Sequence, residues 1–231
     1  MTTLDKKAYD QARRSYLPPF DEHATDPYEV YDSQEVAGEE GWDQITQVVE
    51  ACLCEDDDWR EAFQHERPPW LESTKALLER IDTNKKKSKY QLKTIVLVNY
   101  LVRFHIRATE MFLEGSYEEV AEYLDLPREI SDRFLFLFYT PSSDHGKAGF
   151  TTTEQLKDRR VVYTLVMYLL AHGKEMKVRS IEKLCEDMII DTKDAMSLYR
   201  EAGCICIKKH VISVRLSVPL TFPSPKIAKK T

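Results

Sequence analysis

Glycine is scarce in this chain, with 7 residues in 231. The glycine-rich loops that cradle phosphates are absent: neither GxGxxG nor GxxxxGK followed by Ser or Thr occurs. Long apolar runs are also missing. None reaches the roughly 18 residues that a membrane-spanning helix requires. The stretch Met1 to Arg14 is polar and carries both charge signs, unlike a secretory or transit leader. Cysteine is limited to 5 positions, an odd number that builds no disulfide framework and points to a reducing compartment, cytosol or nucleus. The pairs Cys52/Cys54 and Cys204/Cys206 are spaced too closely for a zinc site, and no histidine pair completes a ligand set. No metal or cofactor is expected. Cys204 and Cys206 read instead as alternate residues on one side of a strand.

Catalytic arrangements are lacking as well. The 6 histidines (His23, His65, His105, His145, His172, His210) stand neither in HExxH nor beside a Ser or Cys nucleophile motif. His105 falls on an apolar helix, where a hydrogen-bonded structural imidazole is expected. The acid pairs Glu39-Glu40 and Glu118-Glu119 are adjacent, hence on different helix faces, and read as solvated charge. These absences argue against an enzyme.

What is present is a charge gradient beneath the net charge of -6. Residues 1–70 hold 6 basic and 18 acidic side chains, residues 71–150 hold 12 of each, and residues 151–231 hold 15 basic against 9 acidic. A partner responds to the local field, so an acidic total does not exclude nucleic acid at the basic C-terminal third.

Residues 1–41, with Pro18, Pro19, Pro27 and isolated aromatics among acids, read as an extended acidic linker that lies along another surface; a plain disordered tail gives the same pattern. Trp42, Ile45, Val48, Val49 and Cys52 recur at helical spacing, and a second amphipathic helix over Trp70 to Ile81 opens at Pro68-Pro69. Lys85, Lys86, Lys87 and Lys89 are assigned to a loop. A helix over 90–113 is apolar around most of its circumference and should be central. Ser116 with Glu119 forms a capping box. A third helix covers Pro127 to Phe138, a turn-rich stretch follows, and Phe150 to Thr152 is a short strand.

The C-terminal third gives the same order more clearly. A helix capped at Thr153 ends at Gly173. Then come the strand Met176-Lys177-Val178, a helix capped by Ser180, a helix from Thr192 to Ala202, and a hairpin with its turn at Lys208-Lys209-His210. Helix, strand, helix, helix, hairpin is the winged-helix order. The expected fold is therefore mainly α (α+β): tandem winged helices, at 42–152 and 153–222, between the linker 1–41 and a basic tail 223–231. The first has the poorer wing.

In helix-turn-helix proteins the recognition helix enters the DNA groove. Here that helix carries Lys193, Ser197 and Arg200 at i, i+4, i+7, and the wing adds Lys208, Lys209, His210 and Arg215. Lys85, Lys86, Lys87 and Lys147 are weaker candidates. Such side chains meet phosphates and give affinity without base selectivity. No Asn or Gln stands at a base-reading position, so binding should be sequence-tolerant. Lys and Arg also populate ordinary helix surfaces, and many winged helices dock on proteins, so a docking module that leaves DNA alone stays open.

Several motifs resemble the family of the RNA polymerase I subunit of forty-nine kilodaltons, the polymerase-associated factor. They are Tyr16-Leu17-Pro18-Pro19-Phe20-Asp21, Asp26-Pro27-Tyr28-Glu29-Val30-Tyr31, Val98 to His105, Lys157 to Tyr163, Lys208 to Val214 and Leu216 to Leu220. The resemblance implies a tandem winged-helix part similar to that of the transcription factor TFIIE beta subunit. It implies a nuclear, nucleolar, non-catalytic module over the polymerase cleft that binds DNA and supports initiation and elongation on ribosomal RNA genes. The implied partners are DNA and the RNA polymerase I core, along which the linker runs. The family also meets a heterodimer partner subunit through an N-terminal β-rich domain, and no strand-rich segment precedes Tyr16. No membrane contact is expected.

Overall fold

In a computed structural model of the chain, the structure describes residues 11–54, 59–65, 69–81, 85–109, 112–143, 148–208 and 210–223. Residues 11–16 are helical, and a short 3-10 turn spans Pro27–Glu29. Helix α1 (Ser33–Ala37) starts where the Asp32 carboxylate accepts from the Gln34 N–H and stops at Gly38, whose φ of 74° lies in the left-handed region. Helix α2 (Glu39–Cys54) buries Trp42, Ile45, Val49 and Cys52, the stripe its spacing predicts. Helices α3 (Trp59–His65) and α4 (Glu72–Leu78) follow; α4 begins past Pro69, with Leu71 before its first turn.

Next comes an order of elements that occurs twice. The first unit is α5 (Lys85–Arg107), β1 (Phe112–Glu114), α6 (Tyr117–Leu124), α7 (Arg128–Phe138), β2 (Thr140–Ser142) and β3 (Gly149–Thr151). The second is α8 (Glu154–Ala171), β4 (Lys177–Val178), α9 (Glu182–Met188), α10 (Thr192–Glu201), β5 (Ile205–Lys208) and β6 (Ile212–Arg215). Each unit has one antiparallel three-stranded sheet, in the order β1-β3-β2 and β4-β6-β5. The class is mainly α with small antiparallel sheets.

Three expectations need correction. The lysine run does not sit in a loop: no Gly or Pro separates Lys85 from Leu92, lysine is a good helix former, and the first turn of α5 begins there. The long helix does not reach residue 113, because the chain leaves it after Arg107 and Phe112–Glu114 pairs with β3. Ser180 does not cap α9. Its hydroxyl meets the Glu182 carboxylate, and Ile181 precedes the first turn without a side-chain cap. The Ser116/Glu119 box does form, with the Ser116 N–H donating to Glu119 Oε2 at 2.7 Å and the Glu119 N–H to Ser116 Oγ at 3.3 Å.

The centre of the molecule is α5 packed on α8. Ile95, Leu97, Val98, Leu101, Val102 and Phe104 on α5 have no exposure, nor do Val162, Leu165, Val166, Met167, Leu169 and Leu170 on α8. A helix apolar on all sides requires cover on all sides, and the flanking helices supply it. Polar bridges join the two halves. Ser73 N–H donates to Asp187 Oδ2 at 2.8 Å, Gln91 Nε2 to the Ala171 carbonyl at 2.9 Å, and His105 Nε2 lies 3.1 Å from the Met188 carbonyl.

The described part of the acidic N-terminal segment lies on this body. Leu17, Val30, Tyr31, Val36 and Ala37 are buried. Tyr31 donates its hydroxyl to the Ala202 carbonyl at 2.9 Å, while Ser33 Oγ meets Thr94 Oγ1 at 2.9 Å. The strap thus touches the second unit at Ala202 and the first at Thr94. Phe20 against Phe222, with ring centres 5.4 Å apart, and Arg13 Nη2 on the Pro223 carbonyl at 3.1 Å tie it to the C-terminal stretch.

Candidate nucleic-acid interface

Helix α10 is fixed from within and polar without. The Asp191 carboxylate accepts from the Lys193 N–H at 2.6 Å and starts the helix. Ala195, Met196 and Tyr199 are buried, and the Tyr199 hydroxyl donates to the Leu165 carbonyl of α8 at 2.9 Å. Burial raises that phenol's pKa well above its usual value, so it acts only as a neutral donor. With one face held this way, Lys193, Ser197 and Arg200 stand together on the opposite face, all exposed. The acids of the helix turn elsewhere. Asp158 on α8 has its carboxyl raised by burial, then by Glu154 and by Asp194 of α10.

The hairpin β5–β6 continues this surface. Burial pushes the Cys206 thiol up, and the nearby Arg200 guanidinium pulls it back, so the basic stripe of α10 borders the hairpin. The Ile212 N–H donates to Glu182 Oε1 at 2.9 Å, which anchors the start of β6 to α9. Lys208 ends β5 and His210 stands in the turn, both exposed. Lys209 and Lys147 lie outside the described residues. So do the side chains of Lys85, Lys86 and Lys87, whose backbone opens α5.

Arg215 pairs in register with Lys177 of β4 on one side and Ile205 of β5 on the other. Directly opposed residues of antiparallel strands point to the same face, and two like charges there repel. Both are exposed, and among the described residues neither has an ion-pair partner. Sequence reasoning named Arg215 and missed Lys177; only the strand register, which a two-residue β4 cannot announce, brings them together. The same hairpin carries Ile205, Ile207 and Val211, exposed by 38%, 41% and 50%. The structure therefore exposes Lys193, Ser197 and Arg200 together on α10, Lys208 and His210 at the hairpin turn, and Arg215 with Lys177 on the outer face of the sheet, opposite the face that packs on α10.

The third helix of the first unit differs. Its outward residues are Arg128, Asp132 and Phe136, and α2 packs beside it. Gly41 of α2 comes so close that a side chain there would meet Ile130 Cδ1 at 3.0 Å. This face has no basic stripe.

Among the described residues, no three His, Cys, Asp or Glu side chains are placed together to hold a metal ion. Burial pushes the Cys185 thiol up to about 12 and raises Cys204 further, leaving both protonated. No described helix is long and apolar enough to cross a membrane.

The sequence model of the family described as A49-like RNA polymerase I associated factor matches residues 1–223. No curated protein matches the chain.

Proposed function

The chain belongs to the A49-like RNA polymerase I associated factor family, and on that premise we propose that its second unit binds DNA near the polymerase cleft and supports initiation and elongation on ribosomal RNA genes. In this reading the two repeated units are winged helices, 42–152 and 153–222, behind the acidic segment 1–41 and before the basic tail 223–231. The protein is non-catalytic and works in the nucleus, within the nucleolus.

The observation that carries the reading is the exposed stripe Lys193, Ser197 and Arg200 of α10, with the like-charged Lys177–Arg215 pair, without an ion-pair partner among the described residues, on the outer face of the adjoining sheet. Cations held against one another without carboxylates become favourable when an anion bridges them. A phosphate backbone supplies such anions in a row, and neutralising them releases counterions. Lys208 and His210 at the hairpin turn would follow the same backbone. With no amide side chain on this face, contacts fix position rather than sequence.

The exposed Ile205, Ile207 and Val211 favour a second reading, in which the hairpin docks on another protein of the polymerase and leaves DNA alone. Fluorescence anisotropy with a labelled duplex over a salt series separates the two. DNA binding requires log K to fall linearly with log salt, by about 0.9 per phosphate neutralised. A variant with Lys177, Lys193, Arg200 and Arg215 changed to alanine should lose most of that slope. No binding by the wild type at low salt defeats the DNA reading and leaves the docking one.

A further inference from the structure

Among the described residues, an aromatic side chain stands largely exposed on the outward face of α7. Phe136 is 77% exposed, and beside it a cavity of about 400 Å³ opens between α7 and the start of α2. Glu39, Glu40, Glu129 and Asp132 line it, with Arg133 as the one cation of the wall. Arg133 is already engaged: its Nε donates to the Val36 carbonyl at 3.1 Å, its Nη2 to the Glu35 carbonyl at 2.7 Å, and its guanidinium carbon stands 5.9 Å from the centre of the Phe136 ring. Among the described residues no cation pairs with any of the four carboxylates.

Helix dipoles explain part of this. Glu39 and Glu40 lie in the first turn of α2 and Glu129 in that of α7, where acids are favoured. They do not explain Asp132, a turn further on, whose carboxyl is raised by burial and then by Glu40 across the cavity. Nor do they explain why an aromatic ring is kept in solvent on the same face. Negative charge beside a ring that stays 77% exposed even with Arg133 near it matches one kind of guest: a cation on an apolar stem, its charge among carboxylates and its methylenes on the ring.

We propose that this face of the first unit is a docking site for a basic segment of a partner protein, with an arginine or lysine side chain entering the cavity against Phe136. DNA is excluded here, because phosphates would meet four carboxylates. The first unit thus faces protein whether or not the second binds DNA.

The test uses the full chain and a short fluorescent peptide of lysines and arginines around one leucine, with a glutamate-for-basic peptide as control. We expect the basic peptide to bind and its affinity to fall about tenfold, one factor of ten per 1.4 kcal/mol, in Glu40→Gln/Asp132→Asn and in Phe136→Ser. Phe136 is exposed, so its variant should keep the wild-type melting curve. Amide shifts on titration should gather at Gly38, Gly41 and Phe136. A control pair, Glu118→Gln/Glu122→Gln on α6, should bind as wild type. Equal losses in the control pair, shifts centred elsewhere, or unchanged binding in both site variants would overturn the proposal. So would a loss of duplex binding in Phe136→Ser, which would make this face a DNA contact.

Discussion

Arg160, in the opening helix of the second unit, donates from Nη1 to the carbonyl of Ala108, just past the end of α5 in the first. The same nitrogen lies 3.3 Å from the Tyr139 hydroxyl, and Tyr139 in turn donates to Ala108 at 2.9 Å. Arg160 is 2% exposed. It closes the C-terminal end of α5, where cations suit the helix dipole, and joins the units through their core. The two outward faces, basic on α10 and acidic on α7, are therefore held by shared packing rather than by a loose tether.

Arg160 is expected to matter more for what fills its place than for its charge. Arg160→Ala removes one of the two donors to the Ala108 carbonyl and opens a void, at a cost of about 2–4 kcal/mol. Arg160→Met restores volume and removes a buried charge, and should fall within about 1 kcal/mol of wild type. Urea unfolding of the three proteins checks this. If Met proves as costly as Ala, the hydrogen bonds hold the units and the packing argument fails.

His105 sets a pH limit on the same core. It is 7% exposed, and burial, then Arg160, lowers its pKa to about 4 from the usual 6.5. Above 6.5 the imidazole is neutral in both the folded and the unfolded chain. As pH falls below 6.5 the unfolded chain takes up a proton that the folded one refuses, so stability declines until pH passes about 4. The loss from this group is on the order of 3 kcal/mol. His105→Gln keeps a donor for the Met188 carbonyl and removes the titration. We expect its stability to drop less than that of wild type between neutral and mildly acidic pH in parallel unfolding curves; identical drops would sink the assignment.

The sequence carried the helices well, because their signals are local. Ser116 with Glu119, Thr153 and Gly173 mark ends within one turn, and Val98 to Phe104 could only be buried. The charge stripe Lys193, Ser197, Arg200 was legible for the same reason. Two short strands of the first unit were not: Phe112–Glu114 continues an apolar run and β2 contains Pro141. A proline is tolerated there because β2 is an edge strand, a fact that only the sheet order supplies. The site residues that escaped notice, Lys177 and Phe136, take their meaning from neighbours far along the chain.

Tyr31 tests whether the N-terminal strap is part of the fold. Its ring is 2% exposed, packs near Phe20 and donates to the Ala202 carbonyl at the end of α10. Tyr31→Phe should cost about 1 kcal/mol, the ordinary worth of one hydrogen bond. Tyr31→Ala should cost about 3–5 kcal/mol, since a large ring leaves a cavity. Hydrogen exchange at Tyr199 and Ala202 should quicken in both variants. Unchanged exchange would mean that the strap rests on α10 without supporting it.

Lys177 offers the sharpest opposition between stability and binding. Opposed to Arg215 it repels; as glutamate it would attract, a gain of about 0.2–1 kcal/mol from the cross-strand pair. If that surface is kept basic for phosphates, Lys177→Glu should raise the melting temperature while weakening duplex binding and flattening its salt slope by about one phosphate for the lost cation, and more as Arg215 is neutralised. Lys177→Glu combined with Arg215→Lys, which keeps a cation at 215, should keep the added stability and still bind poorly. Melting and anisotropy on the same samples decide it. A variant that is more stable and binds duplex as before would show that the repulsion at Lys177 and Arg215 serves no nucleic acid, and attention would pass to the exposed isoleucines of the hairpin.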